Sequence, residues 1–287
     1  MPHYVSYDAA ELHYRVLGED NGEGGPPLVC LAGGPGRDAA YLENLAGLDA
    51  RRPLIVPDSR GTGASPPPAN PAAYAFPALA DDLESLRDHL ELDRFALLAH
   101  DAACATAQAY AAAHGDHLTH LILVTPGSRL QGELPTDAED IFESRATEEW
   151  WVDAYVAVHS LPGTTDLAEV RSLLLRAAPM AYAHWTPVQR AHAAREPDQL
   201  NPVPRAGFWQ GVDEPARLNL LRRLRDVHCP VLVVTGDRDA VTGLRAGEAV
   251  AASFPRAVLR PLHEVGHYPW IDEPDMFRPL VESFLAV

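Results

Sequence analysis

FALLAHDAACATAQAY, residues 95–110, decides how the chain is read. Residues 95–99 form an apolar run of strand length, and residues 104–113 are alanine-rich with high helix propensity. The turn between them, Ala99-His100-Asp101-Ala102-Ala103, sets one acidic side chain among small residues. A strand that breaks sharply into a helix, with one reactive side chain at its apex, has the layout of a nucleophile elbow, usually written G-x-S-x-G. Ala99 and Ala103 keep small residues at the outer positions, and Asp101 takes the place of the serine. Asp is also a favoured helix N-cap, so the turn by itself is compatible with a purely structural carboxylate.

Working outward, the chain alternates strands and helices. Residues 3–7, 11–17, 28–31, 53–57, 118–124, 231–235 and 257–260 read as further strands, and 76–90, 244–254 and 274–285 as helices. Such alternation implies a mostly parallel sheet covered on both faces. Between about 128 and 224 no convincing strand occurs. That segment is rich in Trp, Arg, Glu and Ala and reads as helices near 137–159, 167–180 and 187–195. The expectation is an α/β core of residues 1–127 and 225–287, with a helical lid inserted over 128–224.

Ligands of such sheets bind at the carboxyl ends of the strands, and the chemically interesting residues fall there. Ala32-Gly33-Gly34-Pro35-Gly36 follows one strand and Asp101 another. Gly236-Asp237-Arg238-Asp239 follows residues 231–235, and Gly266-His267-Tyr268-Pro269-Trp270 follows the last strand. The chain order nucleophile, acid, histidine is that of the α/β-hydrolase arrangement.

These motifs resemble those of α/β-hydrolases of the proline iminopeptidase-like group. Gly33-Gly34-Pro35-Gly36 resembles that group's H-G-G-P-G oxyanion loop, with Ala32 in place of the histidine. Asp58 to Ser65 resembles its D-x-R-G-x-G-x-S loop, in which an Asp58–Arg60 salt bridge is expected to have a structural role. Asp239 falls on the acid of its G-x-x-D motif and His267 on its catalytic histidine. The resemblance implies an α/β-hydrolase fold. The departure at Asp101 is similar to epoxide hydrolases and haloalkane dehalogenases, which share the fold and use an Asp nucleophile.

The change of nucleophile changes the chemistry. A carboxylate attacking an amide would form a mixed anhydride while expelling a poor leaving group, which disfavours peptidase activity. A carboxylate attacking an sp³ carbon gives an ordinary ester, which a water activated by His267, itself oriented by Asp239, can cleave. The expected oxyanion donors are the N–H groups of Gly34 and Ala102. Opening an epoxide also needs a donor to the ring oxygen. The lid aromatics Trp150 and Trp151 are the expected donors, with Tyr155, Tyr182 and Trp185 as further substrate-binding candidates; packing is the alternative for each. The expected activity is therefore an epoxide hydrolase, with water as co-substrate and a bulky natural-product epoxide suggested by the small Ala102. Haloalkane or haloacid dehalogenation is the alternative, as is a non-hydrolytic or binding role. Where dehalogenases place a halide-holding Trp after the nucleophile, this chain has Ala102.

Composition sets outer bounds. The 287 residues are 47% hydrophobic and 22% charged, as in ordinary globular domains. A formal net charge of −17 argues against nucleic acid or an anionic membrane as a partner. The N-terminal stretch has no basic region followed by an apolar one, and no run approaches the roughly 18 apolar residues of a spanning helix, so a cytoplasmic protein is expected. Cys30, Cys104 and Cys229 are expected to be buried free thiols. No cofactor is called for, and no metal, His114, His117 and His120 included.

Overall fold

The computed structural model describes residues 1–19, 25–132 and 137–286. Its frame is an eight-stranded sheet: β1 (His3–Val5), β2 (Glu11–Leu17), β3 (Leu28–Leu31), β4 (Leu54–Pro57), β5 (Phe95–His100), β6 (Leu118–Val124), β7 (Val231–Gly236) and β8 (Ala257–Leu262). The spatial order is β1-β2-β4-β3-β5-β6-β7-β8. β2 runs antiparallel to both β1 and β4, and every other neighbouring pair is parallel.

Helices on both faces explain why β3, β4, β5 and β7 are buried at every position. Side chains alternate along a strand, so β5 feeds two cores. Leu97 and Ala99 pack with α1 (Phe76–His89) and α2 (Ala103–His114), against Phe76, Leu83, Leu86 and Tyr110. Ala96 and Leu98 face the other layer with Trp270, Phe277 and Val281.

From residue 128 to 224 the described chain is helical: α3 (Asp137–Ser144), α4 (Trp151–Ser160), α5 (Leu167–Ala177), α6 (Pro187–Ala193), α7 (Glu196–Gln199), α8 (Pro202–Gly207) and α9 (Glu214–Leu224). Two differences from expectation have physical causes. The helix expected over 137–159 is broken between α3 and α4. Arg145 is drawn inside there, donating to the carbonyls of Tyr182 and Ala183 and pairing with Glu148. Moreover, Phe208 and Leu224 join the core of Phe76 and α2, so α9 belongs to the helical layer beside the sheet. The remaining helices are α10 (Leu244–Ala251), α11 (Pro269–Asp272) and α12 (Pro274–Leu285).

The loop after β4 also corrects an expectation. Arg60 pairs with Asp82 of α1 at 2.6 Å and Asp8 at 2.8 Å, not with Asp58. Asp58 instead accepts from the Ala64 N–H and lies 3.4 Å from Arg15. Both residues remain structural. The three cysteines are buried and free. No helix among the described residues is long and apolar enough to cross a membrane.

Candidate active site

β5 ends at His100, and the chain enters α2 two residues later through Asp101, whose φ is +52°. A non-glycine residue in this left-handed region is costly unless its surroundings impose it. They do so on both sides. The Asp101 N–H continues the sheet ladder to the Val124 carbonyl at 3.0 Å, and the Asp101 carbonyl accepts from the Cys104 N–H at 3.0 Å, starting the helix. The small-residue rule has a visible cause. A Cβ on Gly33 would lie 2.4 Å from the His100 carbonyl oxygen and 2.8 Å from the Asp101 Cβ. The oxyanion loop thus packs directly on the elbow.

The N-cap alternative fails on geometry. α2 has no side-chain cap, and the Asp101 carboxylate turns the other way. Its Oδ2 accepts from the Gly34 N–H at 2.8 Å, and its Oδ1 faces His267 Nε2 at 3.7 Å. The Ala102 N–H, expected as the second oxyanion donor, makes no hydrogen bond to this carboxylate. Cys104, also near the elbow, points inward with its thiol on the Ala99 carbonyl, and burial pushes its pKa well up.

His267 and Asp239 are both buried and joined at 3.0 Å between Nδ1 and Oδ2. Asp239 is held by the Thr242 hydroxyl at 2.6 Å and the Val241 N–H at 2.8 Å. Burial works against its charge, but the charge and hydrogen bond of His267, with Thr242, keep its pKa below the ordinary carboxylate value. For His267 burial again opposes the charged form, and the Asp239 carboxylate outweighs it, so the imidazole pKa lies above 6.5.

A second polar chain ties the loops together beneath the elbow. The Gly33 N–H donates to Tyr41 Oη at 2.8 Å; Tyr41 Oη meets His100 Nδ1 at 2.7 Å; His100 Nε2 meets the His267 carbonyl at 2.9 Å. A carbonyl only accepts, so His100 carries its proton on Nε2 and takes the Tyr41 hydroxyl proton on Nδ1. Burial, then the nearby His267, pushes the His100 pKa well down and keeps it neutral.

Asp101 and His267 open on a cavity of about 340 Å³, lined on its apolar side by Val158, Leu161, Leu174 and Met180 and on its polar side by Arg37, Tyr268, Glu196 and Arg205. None of the expected lid aromatics lines it. The Trp150 indole N–H donates to Glu148 at 2.7 Å and that of Trp151 to the Phe142 carbonyl at 2.8 Å. Tyr155 stacks on Trp151, and the Tyr182 hydroxyl is paired with His192. Trp185 packs beside Tyr182. Trp150 and Trp151 are therefore not placed to meet a ring oxygen at Asp101, because each indole N–H satisfies the backbone or an acid of its own lid segment.

Sequence reasoning missed Arg37 and Tyr268. Arg37 is buried, with Nη1 on the Tyr268 hydroxyl at 2.9 Å, Nε on Gln199 at 3.1 Å, and its guanidinium 4.3 Å from the Tyr41 ring centre. Both residues adjoin recognised motifs, Arg37 directly after Gly36 and Tyr268 directly after His267. Outside the cavity, Glu84, His114 and His117 hold possible ligand atoms within 4.8 Å of one another. Arg87 and the Tyr110 hydroxyl already occupy the Glu84 carboxylate, so a cation there would meet the Arg87 charge at close range.

The chain matches the alpha/beta hydrolase fold family over residues 26–274. It is 24% identical to a proline iminopeptidase of Heyndrickxia coagulans, over 93% of this chain and 92% of that one. It is 26% identical to a putative carbamate hydrolase, RutD, of Caulobacter segnis, over 91% and 92%. Among solved structures, the esterase RhEst1 of a Rhodococcus species superposes with a TM-score of 0.75 at 23% identity, covering 99% of this chain and 98% of the other. With the elbow, the oxyanion loop and the acid–histidine pair in place at the strand ends, the chain belongs to the alpha/beta hydrolase fold family.

Proposed function

We propose that this hydrolase opens epoxides through a covalent ester on Asp101. The observation that carries the reading is the division of labour within one carboxylate. Oδ2 sits on the Gly34 N–H, while Oδ1 is left to the cavity and His267 Nε2. Oδ1 attacks a ring carbon, the C–O bond breaks, and the ring oxygen takes the electron pair and then a proton. His267 next removes a proton from water, and the hydroxide adds to the Asp101 carboxyl carbon. The negative charge of the tetrahedral intermediate falls on Oδ2, where the Gly34 N–H already is; such a donor typically contributes about 3 kcal/mol. Collapse expels the diol oxygen, which takes the proton back from His267. Collapse leaves Asp101 as the carboxylic acid, and its proton returns to the group that protonated the ring oxygen; epoxide plus water gives a vicinal diol, and both residues are restored.

Tyr268 takes the role expected of the lid tryptophans. Tyr268 lines the cavity, and its hydroxyl accepts from Arg37, which leaves its own proton for a ring oxygen. Tyr268→Phe is expected to slow ester formation by about 100-fold, while Trp150→Phe changes it little. Rapid-quench measurement of the ester checks both; the reverse ranking would return the role to the lid. The cavity volume is at the low end for small-molecule pockets, which favours a substrate of modest size over a polycyclic one. No tryptophan lines the cavity among the described residues, so an indole-held halide has no support, and dehalogenation is the weaker reading.

The raised His267 pKa sets the pH dependence. Below it the imidazole is protonated and cannot take a proton from water; above it the base is free. Ester hydrolysis should therefore rise with pH through a value above 6.5 and then level off, while ester formation continues below that value. Single-turnover rates of the two steps across pH check this. Trapping the ester on a His267→Gln variant and mapping it to Asp101 tests the function itself. An unmodified Asp101 with every epoxide, beside an inactive wild type, would refute it.

A further inference from the structure

We infer that the substrate is an anion whose carboxylate docks between Arg37 and Arg205, with its reactive carbon a few bonds away. The inference rests on the epoxide reading for the reactive group, but the anion site stands on its own geometry. Both arginines bracket Gly34, the residue that holds Asp101. Arg205 Nη1 donates to the Gly34 carbonyl at 2.7 Å, and a Cβ on Gly34 would lie 2.6 Å from the Arg37 Cβ. Arg205 has no carboxylate within ion-pair distance among the described residues, although acidic residues outnumber basic ones by 40 to 23. Arg37 is buried on the cavity wall with Glu196 at 3.6 Å, and its Nη2 has no hydrogen-bond partner among the described residues. The Nη2 itself is sealed from the cavity, so Arg37 acts on a bound carboxylate through its charge, from behind the wall, and Arg205 supplies the direct contact.

Two carboxylates, Glu196 and Asp101, line the cavity with the two arginines. Glu196 lies against Arg37, so Arg205, which has no ion pair among the described residues, is the arginine left to meet an added anion. Backbone dimensions across Gly34 place the Arg205 Nη1 within about 9 Å of the Asp101 Oδ2. A carboxylate on Arg205 thus leaves room for only a short spacer before the carbon that Asp101 attacks. The rest of the ligand meets Val158, Leu161, Leu174 and Met180, an apolar wall suited to an alkyl or aryl substituent.

The test compares trans-5,6-epoxydecanoate with its primary amide, equal in length and reactive group and different in charge. Wild type is expected to favour the acid in kcat/KM by about 30-fold, the worth of one charged hydrogen-bonded contact. The ratio should fall toward one in Arg205→Gln, recover in part in Arg205→Lys, and shrink with added salt. Arg205 is exposed, so these variants do not disturb the core as Arg37→Gln would. Equal turnover of acid and amide by wild type, or a ratio unchanged in Arg205→Gln, would overturn the anion site and leave the epoxide reading intact. If neither epoxide is turned over or forms an adduct, the epoxide reading fails, and calorimetry with decanoate and decanamide still decides the anion site. Tighter decanoate binding that is lost in Arg205→Gln supports it, and equal affinities overturn it.

Discussion

His267→Gln is expected to stop turnover after the first half-reaction and to accumulate one substrate mass on Asp101. The two steps depend on different groups. In the proposed mechanism, attack on the ring carbon uses Oδ1 of a carboxylate held by the Gly34 N–H, whereas cleavage of the ester requires a base for water. Among the described residues, the group joined to a buried acid and facing Oδ1 is His267, 3.7 Å away on Nε2 and 3.0 Å from Asp239 on Nδ1. Glutamine keeps much of the volume and some hydrogen bonding but takes no proton, and loss of a general base costs about 100- to 10,000-fold. The second step should therefore fall below the first. Intact mass after incubation with a panel of epoxides, followed by peptide mapping, reads the result. A single turnover of wild type in oxygen-18 water gives an independent signature. Because water attacks the Asp101 carboxyl carbon, the label should enter Asp101, and the first diol should carry an oxygen from the protein. Label in that first diol, with none in Asp101, would mean direct attack of water on the epoxide and would remove the covalent ester.

Much of this site is legible in the chain because backbone rules leave a trace there. Gly33 is demanded by contact with the His100 carbonyl and the Asp101 Cβ, and the alanines around Asp101 by the packing of a turn buried on both sides. Strand lengths and alternation similarly fix the elements. β2, β3, β6 and α12 begin and end where the pattern places them, because periodicity and breakers act locally. What a side chain turns toward is not local. Trp151 suits a donor as a residue type, and the Phe142 carbonyl claims its indole only once α3 and α4 have folded together; Trp150 is claimed nearer by, by Glu148. Arg60 is chosen by Asp82, 22 residues away, over Asp58 beside it. Arg37 reaches Tyr268 across 231 residues, a pairing that only the sheet order creates. The elbow was readable, while which aromatic side chain lines the cavity beside Asp101 required three dimensions.

Asp101→Ser is expected to exchange one reaction class for another: epoxide turnover lost, by about 10,000-fold or more, and ester hydrolysis gained. The serine hydroxyl would sit about one bond nearer the backbone than Oδ1, within reach of His267 by a change of rotamer. It would find a base with its acid in place, and the Gly34 N–H, freed from Oδ2, would point to where a substrate oxyanion forms. A carbonyl substrate such as p-nitrophenyl butyrate then gives an ordinary acyl-serine that water can cleave. In wild type the same substrate would give a mixed anhydride at best. An epoxide meets the opposite fate in the variant. A serine oxygen that opens the ring is left as an ether, with no carbonyl carbon for water to attack, so the reaction halts after at most one equivalent. The choice between ester and epoxide therefore lies in whether the nucleophile itself carries a carbonyl. Comparing p-nitrophenyl butyrate and epoxide turnover in wild type and Asp101→Ser measures this directly. Full epoxide turnover by the serine variant would show that Asp101 never formed the bond, and that ring opening runs through water.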